Sequence, residues 1–255
     1  MSVSVDVTDG VARIMVHRPE ARNAMTFAMY EAFFAACEAL DARPDVRVVI
    51  LRGGSGTFIA GTDIAEFRNL RTREDALAYE QRMSVVIGRL ERMTKVTIAM
   101  IEGHATGGGF ALAVACDLRY AAADARLGVP IARTLGNCLS MANYSRVVDA
   151  VGPARAKELL LTARLLSAEE ALAAGLLHAV VPPADLERHL DEVAASICRL
   201  APLTLQVSKE AIRRIQERRC VVEGEDLLLR CYLSEDFREG VQAFLDKRAP
   251  VWKGR

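Results

Sequence analysis

The chain has 255 residues, enough to bury one large core or one core with a small helical appendage. Its 51% apolar content excludes a disordered chain. The 33 Lys and Arg residues are balanced by 33 Asp and Glu residues, so the basic footprint of a nucleic-acid binder is missing and little self-repulsion opposes oligomerisation.

In chain order, two short strands are predicted in residues 1–16, around a turn at Asp9-Gly10, and Pro19 ends them. Thr26 or Asn23 can cap a helix over 27–40, whose apolar residues recur at helical spacing. Pro44 stops it, and 46–51 reads as a buried strand. A first glycine-rich turn spans 53–63, followed by a helix with a mixed polar face over 75–92. Residues 96–101 are the next buried strand, and a second glycine-rich turn over 103–109 opens into an apolar helix near 109–115. Strands are expected at 118–122 and 125–129. This strand–turn–helix unit recurs loosely, as a supersecondary spiral and not as a tandem solenoid repeat.

Helices dominate from Cys138 onward. Ser167-Ala168-Glu169-Glu170 is a capping box and Gly175 the matching stop. A short strand over 176–181 precedes Pro182-Pro183, and helices are expected near 185–199, 203–218, 225–233 and 236–247. The change to pure helix near residue 200 suggests a core over 1–199 and a C-terminal helical oligomerisation region over 200–255. The six cysteines (Cys37, Cys116, Cys138, Cys198, Cys220 and Cys231) contain no C-x-x-C pair and read as buried, reduced thiols. The start, Met1 to Gly10, is polar and acidic, unlike a signal peptide, and the apolar runs are too short to span a bilayer. A cytoplasmic protein without membrane partner is expected.

The two glycine-rich turns each follow a short apolar strand. Together they suggest one inward-pointing backbone N–H per turn, a pair suited to the oxyanion of an enolate or a tetrahedral intermediate. Generic nucleotide binding fits poorly, because there is no G-x-x-x-x-G-K-[ST] and the Gly107-Gly108-Gly109 triplet lacks dinucleotide spacing.

Five ordered blocks carry a resemblance: 17–25 (His-Arg-Pro-Glu-Ala-Arg-Asn-Ala-Met), 58–64 (Phe-Ile-Ala-Gly-Thr-Asp-Ile), 107–118, Leu135-Gly136 with 171–176, and the tail 243–255. The chain resembles the crotonase, or enoyl-CoA hydratase/isomerase, superfamily over nearly its whole length. That implies an α/β fold, a spiral of ββα units with C-terminal helices, and a homotrimer or dimer of trimers. It implies an acyl-CoA thioester as substrate, with coenzyme A as part of that substrate and no separate cofactor or metal. By position, the thioester oxygen would lie between the N–H groups of Thr62 and Gly108. Glycine lets backbone approach a ligand closely, and a helix N-terminus at Gly108 favours negative charge. The alternative is that the triplet only permits tight strand–helix packing. The resemblance further implies a CoA site at Arg22 and Ala24, and at Ala60, Gly61, Asp63 and Ile64. Arg22 is equally readable as a phosphate partner or a solvated loop arginine. Asp63 and Asp117 read more readily as residues that bond the backbone than as catalytic groups. Trp252 and Lys253 either close a neighbouring subunit's site or form a solvated tail.

The sequence departs from the family at the chemistry. The two glutamates of hydratases fall on Ala111 and Ile131, and isomerases keep the second of these. The aspartate of dehalogenase-like members would fall near 139–141, where no acid occurs. Each acid–base group contributes roughly 10²–10⁴-fold, and one oxyanion donor roughly 10²–10³-fold. Losing both carboxylates therefore removes the larger part of a hydratase's chemistry. Arg133, Asn137, Cys138, Ser140, Asn143, Tyr144 and His104 are the nearby polar residues, each read as packing or hydrogen bonding before chemistry. The expectation is an enzyme that stabilises a thioester enolate without a strong base, as in decarboxylation of a β-carboxyacyl-CoA. The alternative is a weakly catalytic or non-catalytic CoA-thioester-binding protein.

Overall fold

Asp9 and Gly10 take positive φ, 51° and 80°, and fold β1 (Ser2–Thr8) back on β2 (Val11–His17) as the antiparallel edge of a sheet. In this computed structural model, which describes residues 2–219 and 223–255, the sheet continues in parallel through β3 (Val48–Gly53), β4 (Val96–Ile101), β6 (Leu118–Ala122) and β9 (Ala179–Val181). Cys220 lies outside the described residues.

The apolar runs of β3 and β4 are continuous because both faces of the sheet are covered. Val48, Ile50, Ile98 and Met100 pack against Leu186, Leu190 and Ala194 of α7 (Leu186–Cys198). Val49, Leu51, Ala99 and Ile101 join the larger core, with α1 (Phe27–Asp41), α2 (Arg73–Glu91) and α3 (Gly108–Ala115). The first helix is capped by Thr26, whose hydroxyl accepts from Met29 N–H at 3.3 Å. Asn23, the other cap candidate, has a different task described below.

A second, three-stranded sheet joins β5 (His104–Thr106), β7 (Arg126–Gly128) and β8 (Leu166–Ser167). Strand β8 was not expected: it pairs Leu166 with Leu127 and Ser167 with Arg126, distant contacts that local pattern cannot show. The strand expected over 176–181 shrinks to Ala179–Val181. The capping box of α6 (Ala168–Ala173) is present, Gly175 takes φ 77°, and the amides of Leu176 and Leu177 both turn back to Ala171 O. The segment up to Leu177 thus closes the helix and cannot extend the strand.

After β7 the chain forms α4 (Ile131–Thr134) and α5 (Met141–Thr162), the latter broken at Gly152, φ 74°, just before Pro153. The last helices are α8 (Pro202–Arg219), α9 (Glu225–Tyr232) and α10 (Glu235–Leu245). Helix α9 packs on α2, and α10 packs on the 3-10 turn Ile64–Asn69, with Phe67 and Phe237 rings 6.0 Å apart. Helix α8 instead leaves Leu203, Val207, Ile212 and Ile215 more than half exposed. Among the described residues no helix is long and apolar enough to cross a membrane.

Candidate active site

Both glycine-rich turns leave the C-terminal ends of neighbouring parallel strands, β3 and β4, where open α/β sheets form crevices. The turns are stitched together: Phe58 N–H donates to Glu102 O at 2.7 Å, and Thr106 N–H to Ile59 O at 3.1 Å. Asn23, fully buried, staples the first turn. Its Nδ2 donates to Gly54 O at 2.8 Å and Thr57 O at 2.6 Å, while its Oδ1 accepts from Arg18 N–H at 2.8 Å.

Gly61 takes φ 115°, a conformation that side chains resist, and the chain then runs beside Met25 through Met25 N–H to Gly61 O and Asp63 N–H to Met25 O. In the second turn, Gly107 N–H donates to Gly128 O at 3.1 Å. The Thr62 and Gly108 amides take no part in these fastening bonds. They are close neighbours: a Cβ on Gly61 would lie 3.7 Å from Gly108 N, and one on Gly108 would lie 3.7 Å from Thr62 N. The triplet has two functions. A Cβ on Gly109 would come within 1.9 Å of Ile59 O, so this glycine serves close packing, whereas Gly108 opens toward Thr62 and Tyr30. Thr62 Oγ1 lies 3.0 Å from Tyr30 Oη and 3.3 Å from Tyr79 Oη. Burial pushes the Tyr30 phenol up to about 12 and raises Tyr79 well above its usual value, so both are neutral.

All ten candidate site residues border one cavity of 810 Å³: Arg22, Ala24, Ala60, Gly61, Thr62, Asp63, Ile64, Gly108, Ala111 and Ile131. The size falls within the range of small-molecule sites. Arg22, Glu20 and Arg133 are at its exposed parts. The Asp63 carboxylate is engaged, 2.8 Å from Arg18 and accepting from Ala65 N–H at 3.0 Å. Ala111 and Ile131 present apolar wall where the resemblance would set the hydratase glutamates.

A further part of the lining is built by side chains from α2, the 135–140 loop and α9, and it holds a carboxyl that the sequence reading missed. Glu80 borders the cavity at 7% exposure. Its Oε1 accepts from Tyr232 Oη at 2.5 Å, and Tyr232 Oη accepts from Asn137 Nδ2 at 3.3 Å. Among the described residues, no cation pairs with Glu80, and burial pushes its carboxyl up to about 7, with the Tyr232 hydrogen bond holding it down in part. Asn137 Oδ1 is buried without a partner among the described residues. One signal was present in the sequence. Ala76, Glu80, Met83 and Ile87 fall at helical spacing on the buried face of α2, so a carboxylate interrupts an apolar stripe.

Of the other polar candidates, His104, Cys138 and Asn143 border the cavity, whereas Ser140 and Tyr144 do not. Ser140 caps α5 by accepting from Asn143 N–H at 3.4 Å. The Asn143 amide oxygen is taken by Arg146 at 2.9 Å. Cys138 Sγ donates to Leu227 O at 3.7 Å, and the neighbouring Cys231 thiol together with burial raises Cys138, which removes it as a nucleophile. Asp117 accepts from Thr97 N–H at 2.7 Å and pairs with Lys209 at 2.7 Å, a strand-end role. The tail folds onto its own α10: Asp236 accepts from Lys253 N–H at 2.6 Å and from Gly254 N–H at 2.8 Å. Among the described residues no group of three or more His, Cys, Asp or Glu could hold a metal.

The enoyl-CoA hydratase/isomerase family description matches residues 6–255. A probable enoyl-CoA hydratase of Mycobacterium bovis is 34% identical over 258 residues, covering 100% of this chain and 98% of the relative. Among solved structures, an enoyl-CoA hydratase/carnithine racemase from Magnetospirillum magneticum superposes with a TM-score of 0.82 at 32% identity, covering 100% of this chain and 96% of the other. A methylmalonyl-CoA decarboxylase in complex with 2-nitronate-propionyl-CoA superposes with a TM-score of 0.89 at 31% identity, covering 100% and 99%. With its spiral sheets, C-terminal helices and near-complete match, this chain belongs to the crotonase superfamily and is an enzyme of the enoyl-CoA hydratase/isomerase family.

Proposed function

We propose that this enzyme binds an acyl-CoA thioester bearing a β-carboxylate and releases CO₂. The observation that carries this reading is the apolar pair Ala111 and Ile131 on the cavity wall. Hydration needs one group to deprotonate water and another to protonate the α-carbon, whereas the cavity supplies a single unpaired carboxyl. Loss of CO₂ breaks the bond between the α-carbon and the carboxylate, and the electron pair passes into the thioester as an enolate. No base is required for that step. The enolate oxygen would accept from the Thr62 and Gly108 amides, which lie on a wall already ordered by the turn contacts, so little reorganisation is needed. The apolar wall would strip water from the leaving carboxylate, and Arg22, Ala24 and the 60–64 segment would hold the CoA portion. The closer superposition on a methylmalonyl-CoA decarboxylase, 0.89 against 0.82 for the hydratase/racemase structure, supports the same reading.

The test is a mass-spectrometric screen of the purified protein against enoyl-, β-hydroxy-, β-keto- and malonyl-type CoA thioesters. Turnover of the malonyl-type members alone is expected. Preferential turnover of enoyl-CoA would overturn the reading, and binding without any turnover would favour a carrier role.

A trimer or a dimer of trimers belongs to the same proposal. The exposed residues Leu203, Val207, Ile212 and Ile215 on α8 give it an apolar face that a neighbouring copy would cover. Sedimentation at micromolar concentration should show no monomer; a stable monomer would contradict it.

A further inference from the structure

Among the described residues, Glu80 is the one carboxyl of the cavity that neither an ion pair nor a cap explains. It sits near the middle of α2, among Ala76, Met83 and Ile87. Burying a charge there without a cation is costly, so a glutamate at this position is a liability to the fold unless it is used. Tyr232 from α9 occupies one carboxyl oxygen at 2.5 Å, and among the described residues nothing donates to the other. Tyr232 is itself oriented by Asn137 Nδ2 at 3.3 Å, and Asn137 Oδ1 is a buried acceptor with no donor among the described residues. Such an acceptor is satisfied by an ordered water or by a bound molecule. The group stands one ring away from the backbone wall: Tyr79, next to Glu80, lies 3.3 Å from Thr62 Oγ1 and 6.0 Å, ring to ring, from Tyr232.

We propose that Glu80 is a catalytic residue that exchanges a proton with the α-carbon of the bound thioester enolate, and that Tyr232 is its positioning residue. The inference rests on the enolate reading above. After CO₂ leaves, the enolate collapses and its α-carbon forms a C–H bond with the proton of the Glu80 carboxyl. Glu80 is left as a carboxylate and regains a proton from solvent before the next turnover. By microscopic reversibility, the Glu80 carboxylate removes an α-proton from the saturated product and returns one from solvent. A carboxyl held near 7 has both forms available at neutral pH. The titratable groups facing it are Tyr79 on its own helix, Tyr232 on α9, Cys138 on the loop with the free thiol of Cys231 beside it, and Tyr144 on α5. Arg73 and Glu225, which pair between α2 and α9, are both more than half exposed and neutralise one another.

The experiment incubates the full-length protein with propionyl-CoA in D₂O and follows α-deuterium uptake by mass spectrometry, alongside CO₂ release from methylmalonyl-CoA. Wild type should exchange, with a rate that rises with pH through about 7 and then levels, as the Glu80 carboxylate accumulates. Glu80→Gln should slow exchange by roughly 10²–10⁴-fold. Tyr232→Phe removes the hydrogen bond that favours the carboxylate, so its pH limb should move upward, which a merely structural role would not do. This second variant and the wild-type limb decide the matter if Glu80→Gln does not fold. Full exchange in Glu80→Gln, an unmoved limb in Tyr232→Phe, or no exchange in wild type overturns the assignment. If methylmalonyl-CoA still loses CO₂ in that case, the decarboxylase reading survives it. Glu80-dependent exchange without CO₂ release has the opposite consequence: the residue stands and the decarboxylase reading falls.

Discussion

The two walls of the cavity are made differently. One is backbone: two turns leave adjacent parallel strands, are stitched by Asn23 and by amide–carbonyl bonds, and bring the Thr62 and Gly108 amides side by side. The other is side chain: Glu80, Tyr232 and Asn137 come from three segments that span 152 positions in sequence and meet only in the folded chain. A backbone wall offers fixed donors whose aim survives most substitutions outside the turns. A side-chain wall can exchange protons, but it changes with single residues, which is how one fold hosts different reactions.

Three changes separate the walls experimentally. The largest effect is expected at the backbone wall. Gly108→Pro, made together with Tyr30→Phe to clear the hydroxyl that a new Cβ would meet at 2.5 Å, deletes a donor at the first position of α3, where proline is tolerated, and should lower turnover by about 10²–10³-fold with the fold retained by circular dichroism. The control is Gly108→Ala combined with Tyr30→Phe. It keeps the amide and removes the hydroxyl that a new Cβ would meet at 2.5 Å, so it should lose far less. Equal losses in both would remove the amide from the mechanism.

The second change concerns the side-chain wall and stability. The Glu80 carboxyl is raised in the folded chain from 4.5 to about 7. Between those values the folded chain holds a proton that the unfolded chain has lost, so stability falls as pH rises through that window and is level above it. Over the full window the loss is on the order of 3 kcal/mol. Glu80→Gln should therefore melt higher than wild type at pH 8 and close to wild type at pH 4.5. A melting difference independent of pH would show that Glu80 is not the buried acid described.

The smallest effect is a gain. Wild type should hydrate crotonyl-CoA poorly, and Ala111→Glu with Ile131→Glu should raise that hydration, read as loss of the conjugated-thioester absorbance. Two carboxylates in one cavity repel and raise at least one pKa, so a lower melting temperature should accompany the gain. Rapid hydration by wild type would break the distinction drawn between the walls.

The same distinction explains what could be read from the sequence. The backbone wall is local: glycines at 61 and 107–109 after apolar strands carry it, and the ten candidate residues that the family resemblance implied all border the cavity. The caps are local as well: Ser167 caps where the pattern put it, and of the two candidates Thr26 and Asn23 it is Thr26 that caps α1. Features made by distant pairing were not legible. Strand β8 exists only through its pairing with β7, and Leu176 and Leu177 look like strand until the helix end claims their amides. Glu80 lay in a helix read as having a mixed polar face, and only its position in the buried stripe distinguishes it from the exposed Glu74 of the same helix. Tyr232, its partner, sits in the C-terminal helical region, and that its ring is buried against Tyr79 and Phe237 is a distant contact that local pattern does not show.

The proposed chemistry stands on one contact, the enolate oxygen held jointly by the Thr62 and Gly108 amides. A crystal structure of the protein with a nitronate analogue of propionyl-CoA, which carries the charge and planarity of the enolate, tests that contact directly. The thioester carbonyl oxygen should lie about 2.7–3.1 Å from both amide nitrogens, with the acyl group toward Glu80. A thioester oxygen bound away from either amide, in a complex with the CoA portion otherwise in the cavity, would contradict it.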